Sequence, residues 1–202
     1  NNSWGAWTVG IDGQYNDRAA QRYNDAIEPP ALNSLLWPEV SIDQTGVFAE
    51  LERPFNASWS VKGGVRYDYV TSAASATDVK PAGMALSPTS LYELYYSDTE
   101  TDRTDRNIGG LFRLEYTPNN GEQRWSAGLS RSVRTPDATE RYIASNGMMP
   151  SARWVGNPGL APEVHHQLEL GLTQQWQRMR LETAVYLNRV NDYVLRDRWV
   201  EP

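Results

Sequence analysis

The sequence contains no cysteine, so neither a disulfide framework nor a thiolate metal site can form within it. Phenylalanine is scarce: there are 3, against 8 tryptophans and 11 tyrosines. A soluble core normally uses more phenylalanine, whereas Trp and Tyr gather where one end of the ring is wet. No stretch approaches the roughly 18 consecutive apolar residues of a spanning helix. The mean hydropathy of -0.62 does not exclude a membrane β-barrel, which is polar on one face of every strand and in every loop. Basic residues are outnumbered, 19 Lys+Arg against 25 Asp+Glu for a net charge of -6, which argues against nucleic-acid binding. The opening Asn1-Asn2-Ser3-Trp4 has no basic region followed by an apolar run, so no signal peptide is read there.

What is present is period-2 alternation. Trp7, Val9, Ile11, Gly13 and Tyr15 share one face, with Thr8, Gly10, Asp12 and Gln14 on the other. Thr45, Val47, Ala49 and Leu51 oppose Gly46, Glu50 and Glu52, with Phe48 discordant. Trp59 to Tyr69 alternates most cleanly, with Lys62, Arg66 and Asp68 on its polar face, which a dry core would not accept. Asn107–Tyr116, with Leu111 discordant, Trp125–Val133, Gln167–Thr173 and Arg180–Asn188 repeat the pattern. No helix of any length is read.

This makes about seven strands of roughly 9 to 13 residues, enough to cross a bilayer at a tilt. Their connections alternate long and short, with long loops near 17–41, 71–102 and 135–163. In an up-and-down sheet every long loop then falls on one side. Aromatics mark the strand ends: Trp59, Tyr116, Trp125 and Trp176 near short turns, Tyr15, Tyr67 and Tyr69 near long loops. Two aromatic girdles around an apolar band indicate an outer-membrane barrel. A soluble β-sandwich, such as a carbohydrate-binding module, has shorter strands and less asymmetric turns. The expected fold is therefore all-β, a segment of an antiparallel up-and-down transmembrane β-barrel. An open antiparallel sheet is unstable in lipid, so the seven strands are expected to belong to a larger barrel.

Ser130-Arg131-Ser132-Val133-Arg134-Thr135-Pro136-Asp137, followed by Glu140-Arg141-Tyr142, resembles the strand-to-loop signature of TonB-dependent outer-membrane receptors. So does Gly156-Asn157-Pro158-Gly159-Leu160-Ala161-Pro162-Glu163, followed by Val185-Tyr186-Leu187-Asn188-Arg189-Val190-Asn191-Asp192-Tyr193. The resemblance covers about the last 75 residues. It implies a 22-stranded barrel plugged by an N-terminal domain absent here, outer-membrane lipid around it, and a TonB energy-coupling partner. It also implies uptake of a scarce nutrient rather than catalysis, with no cofactor required. In family-motif structural roles it places Arg134, Pro136, Asp137, Glu140, Asn157, Pro158, Pro162 and Glu163. Arg134–Tyr142, Arg153–Pro158, His165-His166 and Tyr193–Arg198 look most like the copper-receptor branch, while siderophore receptors share much of the pattern.

Met148-Met149 is the pair with the clearest chemistry. Thioether sulfur is a soft ligand suited to Cu(I), and the competing reading is an apolar plug where the loop folds over the mouth. With Arg153 and Trp154 the two methionines form the expected ligand contact, with copper as a transported ligand. Met148, Met149 and His165 are the candidate metal ligands. His165 and His166 are adjacent on a strand and face opposite sides, so they cannot share one ion. Arg134, Asp137 and Glu140 are expected to tie loop to strand. The polar-face charges Lys62, Arg66, Asp68, Arg113, Glu115, Glu169, Arg180 and Glu182 are expected to face water or a plug. No nucleophile–His–acid triad, phosphate loop or HExxH motif is present.

Overall fold

A computed structural model describes residues 5–26, 28–83, 85–118, 121–147 and 149–197. Its main element is one antiparallel sheet of seven strands, curved as a half-barrel. In chain order the sheet strands are β1 (Ala6–Asn24), β2 (Ala31–Pro54), β3 (Trp59–Ala74), β4 (Arg103–Tyr116) and β5 (Gln123–Arg134). A two-stranded hairpin, β6 (Ala144–Ser145) with β7 (Trp154–Val155), interrupts the series before β8 (Glu163–Gln175) and β9 (Arg180–Asn191). Each sheet strand pairs with the sheet strand before it, in the order β1-β2-β3-β4-β5-β8-β9. A single sheet of sequential neighbours is not a sandwich.

The alternation fixes the faces. Val9 and Ile11 are each 74% exposed and Leu187 73%, all on one side of the sheet. Such a surface has no reason to exist in water and is what lipid contact requires. The opposite, lumenal face carries the charges, and they find one another. The Arg66 guanidinium forks between Asp12 (2.6 and 2.7 Å) and Asp68. Arg113 reaches Glu115 at 2.9 Å and Glu169 at 3.4 Å, Lys62 reaches Glu52 at 3.1 Å, and Arg180 pairs with Glu182. Apart from the more buried Asp68 and Glu115 these groups are half-exposed, and they neutralise each other across the strands; no exposed pair contributes much stability by itself. Phe48, discordant in the alternation, points into the lumen under Arg66 and lies over Gly10, where a Cβ would come within 2.5 Å of its ring.

Three expectations from the sequence need correction. The segment 17–41 is mostly strand: β1 runs on to Asn24 and β2 begins at Ala31, so only 25–30 connect them. Register shifts between Arg18 and Tyr23 break the period that would have revealed it. The strands accordingly run from 12 to 24 residues, not 9 to 13. Helices are present, though only in the loops. α1 (Pro88–Tyr96) has Ser87 as N-cap, its side chain accepting from the Ser90 N–H, with proline in the first turn. α2 (Ala138–Tyr142) is a single capped turn. Among the described residues no helix is long and apolar enough to cross a membrane, so crossing falls to the strands.

Candidate functional site

The connection from β5 to β8 leaves the sheet at Thr135-Pro136 and folds back over its lumenal face. Local chemistry sets the turn. The Asp137 carboxylate accepts from the N–H groups of Thr139 (2.6 Å) and Glu140 (2.9 Å), and the Glu140 carboxylate accepts from the Asp137 N–H (2.8 Å). This reciprocal capping box starts α2.

Arg134, at the end of β5, then joins three segments. Its guanidinium donates to Glu140 at 2.9 Å and to Glu163, the first residue of β8, at 3.1 Å. The buried Glu163 carboxylate also accepts from the Val194 N–H at 3.1 Å and lies 2.6 Å from Nε2 of His165. Glu163 sits at the outer end of β8, above the lipid-facing leucines. The Val194 amide, then Arg134 and His165, hold its carboxyl down at about 2 against the opposing effect of burial. Glu140, and then Glu163, push the Arg134 guanidinium up. Arg134, Asp137, Glu140 and Glu163 thus form one latch between loop and strand.

Beyond the latch, α2 is pinned to the lumenal faces of β1 to β4. Arg141 is 1% exposed and ion-paired to Asp105 at 2.8 Å. It also donates to the Ser72 hydroxyl (2.9 Å) and the Leu160 carbonyl (2.8 Å). The Tyr142 hydroxyl meets Ser72 at 2.8 Å and donates to the Thr101 carbonyl at 2.9 Å. From β1, Arg18 reaches Thr139 at 3.4 Å, and Arg22 reaches Ser145 and the Asn146 carbonyl. Beneath lies an apolar cluster of Val40, Ala74, Ala138 and Tyr142, with Trp37 and Ile42 against it. A second cluster, Leu91, Tyr92 and Ala144, attaches α1 to the β6–β7 hairpin. There the Tyr92 hydroxyl donates to the Tyr142 carbonyl at 2.6 Å, and burial pushes its titration up.

Gly156 closes the layer. Its N–H reaches the Ile143 carbonyl at 2.8 Å, and the Asn157 N–H reaches the Glu140 carbonyl at 2.9 Å. A Cβ on Gly156 would lie 2.7 Å from the Arg141 carbonyl carbon, so only glycine permits this backbone approach. Pro136 and Pro158 are fully buried in the same layer, while Pro162 is half-buried ahead of Glu163. The residues read as structural motif from sequence therefore do cluster.

The residues read as ligand contacts are placed as follows. Met148 lies outside the described residues, as does Arg198. Met149 is 68% exposed at the start of a 3-10 turn (Pro150–Ala152). Trp154 is half-exposed on β7, with the Arg196 guanidinium 3.9 Å from its ring centroid. Arg153 is half-buried and its Nε has no hydrogen-bond partner. Both ring nitrogens of His165 are engaged, Nε2 by Glu163 and Nδ1 by Asn188 at 3.0 Å. That makes it part of the latch and leaves no lone pair turned toward the mouth; His166 faces the other side. Among the described residues no group of three or more His, Asp or Glu could hold a metal ion.

The sequence reading named Arg141 and Tyr142 only as part of a motif and missed Ser72, Asp105, Arg18 and Arg22. The Asp137-x-x-Glu140 spacing was a visible capping-box signal for the helical turn that carries Arg141 and Tyr142.

The family described as TonB dependent receptor-like, beta-barrel matches residues 1–201. No curated protein sequence matches the chain. Among solved structures, the chain is similar to the copper transporter OprC, with a TM-score of 0.67 and 19% identity over 93% of this chain and 27% of that one. It is also similar to the Serratia marcescens hemophore receptor HasR, in a double mutant complexed with its hemophore HasA and heme. There the TM-score is 0.58 and the identity 16%, over 93% of this chain and 32% of that one. The chain spans about a third or less of those receptors' length, and at such identities the likeness is one of fold.

Proposed function

The chain belongs to the TonB-dependent receptor β-barrel family, a family of outer-membrane transport receptors rather than enzymes, and from that premise we propose that it serves as part of the barrel of an uptake receptor whose folded loop layer meets the cargo. The observation that carries this is the loop layer itself. The α2 loop lies on the lumenal faces of β1 to β4, not splayed into solvent, so anything entering the lumen passes it. Its anchors are buried and paired, whereas the surface it turns outward holds the exposed Met149 and Trp154.

Copper is the favoured cargo. A thioether pair, Met148 and Met149, is soft and neutral, suited to Cu(I) and poorly suited to hard ions. Arg153 and Trp154 stand close by in sequence, a guanidinium and an aromatic face suited to an anionic or planar chelate. A ferric siderophore is accordingly the alternative cargo. A plug domain and a TonB-type energy-coupling protein are the partners this function requires.

Calorimetric titration of the full receptor with Cu(I) tests the cargo directly. Met148→Ala and Met149→Ala should each weaken binding, and the double variant more so. Unchanged affinity in all three would remove the pair from the site and favour the chelate, with Arg153→Ala and Trp154→Ala as its test.

A further inference from the structure

Several lumenal arginines are ion-paired within the protein, whereas a set of outward basic groups is not. On the lumenal side Arg66, Arg113, Arg134 and Arg141 each have a carboxylate partner, and Arg18 and Arg22 are held by hydroxyl, amide and carbonyl oxygens. On the outward side, Arg106 of β4, Arg131 of β5, His166 of β8 and Arg189 of β9 have no carboxylate partner. No Asp or Glu occupies an outward position on these four strands. Among the described residues Arg106, His166 and Arg189 have no side-chain partner at all. The Arg131 guanidinium donates to the Ile108 carbonyl, just where the backbone pairing of β4 with β5 ends at Gly110↔Arg131.

The register makes this a band. Arg131 pairs with His166, and His166 with Arg189, in one cross-strand row. Below it runs a row of Phe112, Leu129, Leu168 and Leu187. On β3 and β4 the Arg131 row continues as Val65 and Gly110, still apolar. Tilt accounts for the change. With strands about 4.8 Å apart and inclined by roughly 40°, a row climbs about 3 Å per strand. The aromatics give the direction: the belt near the short turns passes from Trp59, Tyr116 and Trp125 to Trp176, which lies further down its strand than Leu172, the partner of Trp125. A row therefore rises toward β9 and leaves the apolar band there. Arg106, beside Tyr69 and four residues above Gly110, reaches the height of Arg189, three strands along the rising row. The four groups thus ascend from Arg131 through His166 to Arg189 and Arg106, on the long-loop side of the lipid-facing surface.

We propose that Arg106, Arg131, His166 and Arg189 form a binding site for the phosphate groups of a phosphorylated lipid in the outer leaflet. Guanidinium forks match phosphate geometry, and the anion missing from the protein is then supplied by the surrounding lipid. The site stands on the membrane setting of the family and is independent of the cargo.

The test uses the full receptor in mild detergent with three probes: bisphosphorylated lipid A, its phosphate-free form, and inorganic phosphate. Arg131 is left intact because it holds a backbone carbonyl. The triple substitution Arg106→Gln, His166→Gln, Arg189→Gln should weaken lipid A binding, read by native mass spectrometry, by about tenfold or more, as expected for lost charge-assisted bonds. Binding of the phosphate-free lipid should not change, and millimolar phosphate should not displace lipid A. Heat-modifiable gel mobility confirms that the variant barrel is folded. Undiminished lipid A binding would overturn the proposal, as would equal loss with the phosphate-free lipid. Displacement by free phosphate would assign the site to the free anion instead of the lipid.

Discussion

The Arg141–Asp105 pair is the most informative place to perturb the loop layer. Arg141 is 1% exposed and the Asp105 side chain 11%, with 2.8 Å between them. Removing one partner from a buried pair costs about 3–5 kcal/mol, because the other charge stays buried and uncompensated. Two features favour the lower end. Arg141 keeps Ser72 and the Leu160 carbonyl as acceptors, and its Nε has no partner even in the intact structure. Asp105→Ala should therefore cost about 3 kcal/mol, a roughly 100-fold increase in the open population of the loop layer.

The cost should fall on the layer and not on the barrel, since β4 keeps its ladder to β3 at Asp105 and to β5 from Gly110 onward. Hydrogen exchange on the full receptor reads this directly. The Arg141 and Ile143 amides, bonded to the Asp137 and Thr139 carbonyls, should exchange about 100-fold faster in Asp105→Ala while central strand amides do not change. A change below about threefold in α2, or an equal change throughout the strands, would refute the argument. The double substitution Arg141→Met with Asp105→Leu removes both charges and should recover most of the protection. If it is as open as Asp105→Ala, the hydrogen bonds of Arg141, not its charge pairing, hold the layer.

Two further outcomes follow from the same layer. Gly156→Ala should loosen α2 by about 1–3 kcal/mol through forced backbone displacement. Gly63→Ala, where the nearest atom to a new Cβ is 3.9 Å away, should be tolerated; equal sensitivity by exchange or thermal melting would contradict the close-approach reading. Glu163 is held down at about 2 from an ordinary value of 4.5. Its folded value is depressed, so its contribution is complete above about 4.5 and is lost as the pH falls toward about 2. Limited proteolysis of the 135–162 loop should show opening in that window, and Glu163→Gln should abolish the pH dependence by leaving the loop loosened throughout. An unaltered acid transition in Glu163→Gln would assign it to another carboxylate.

The barrel was legible in the sequence because lipid imposes a strict rule on each strand. Where one face meets lipid and the other water, every second residue must be apolar, and Trp59 to Tyr69 shows this with no exception. The latch was half legible. Arg134, Asp137, Glu140 and Glu163 sit in a recognisable motif, and the charges of the first three suggested that they tie loop to strand. The helices were missed although their caps are written out: Ser87-Pro88 followed by Leu91, Tyr92 and Tyr95, and Asp137-x-x-Glu140. Short helices give too few turns for periodicity to register, and here the cap residues held the signal. His165, on a strand, was named as a candidate metal ligand beside the reading of a hydrogen-bonded structural histidine. Only the fold shows that Glu163 and Asn188 occupy both its nitrogens.

The failure at 17–41 has a physical cause that also locates the membrane surface. Through the spanning part of β3 the apolar residues face outward: Val65 is 65% exposed, Tyr67 38% and Tyr69 42%. From Val70 the buried residues change faces. Val70, Ser72 and Ala74 are buried on the lumenal side, under α2. Val40, on the lumenal side of β2, is buried in the same cluster, while Glu39 and Asp43 are exposed on the outward side. The outward face has left lipid for water and the lumenal face has gained a cover of protein, so the rule linking face to hydrophobicity inverts within one residue pair. A reader expecting one phase of alternation sees it dissolve and infers a loop. The same inversion, set beside the outer aromatic belt at Tyr15 and Tyr69 and the unpaired Arg106 two rows above Gly110, puts the outer membrane surface at the level of Tyr69. The loop layer thus begins where the lipid stops, and above that level the strands are held by the latch and the Arg141 anchor instead of the bilayer.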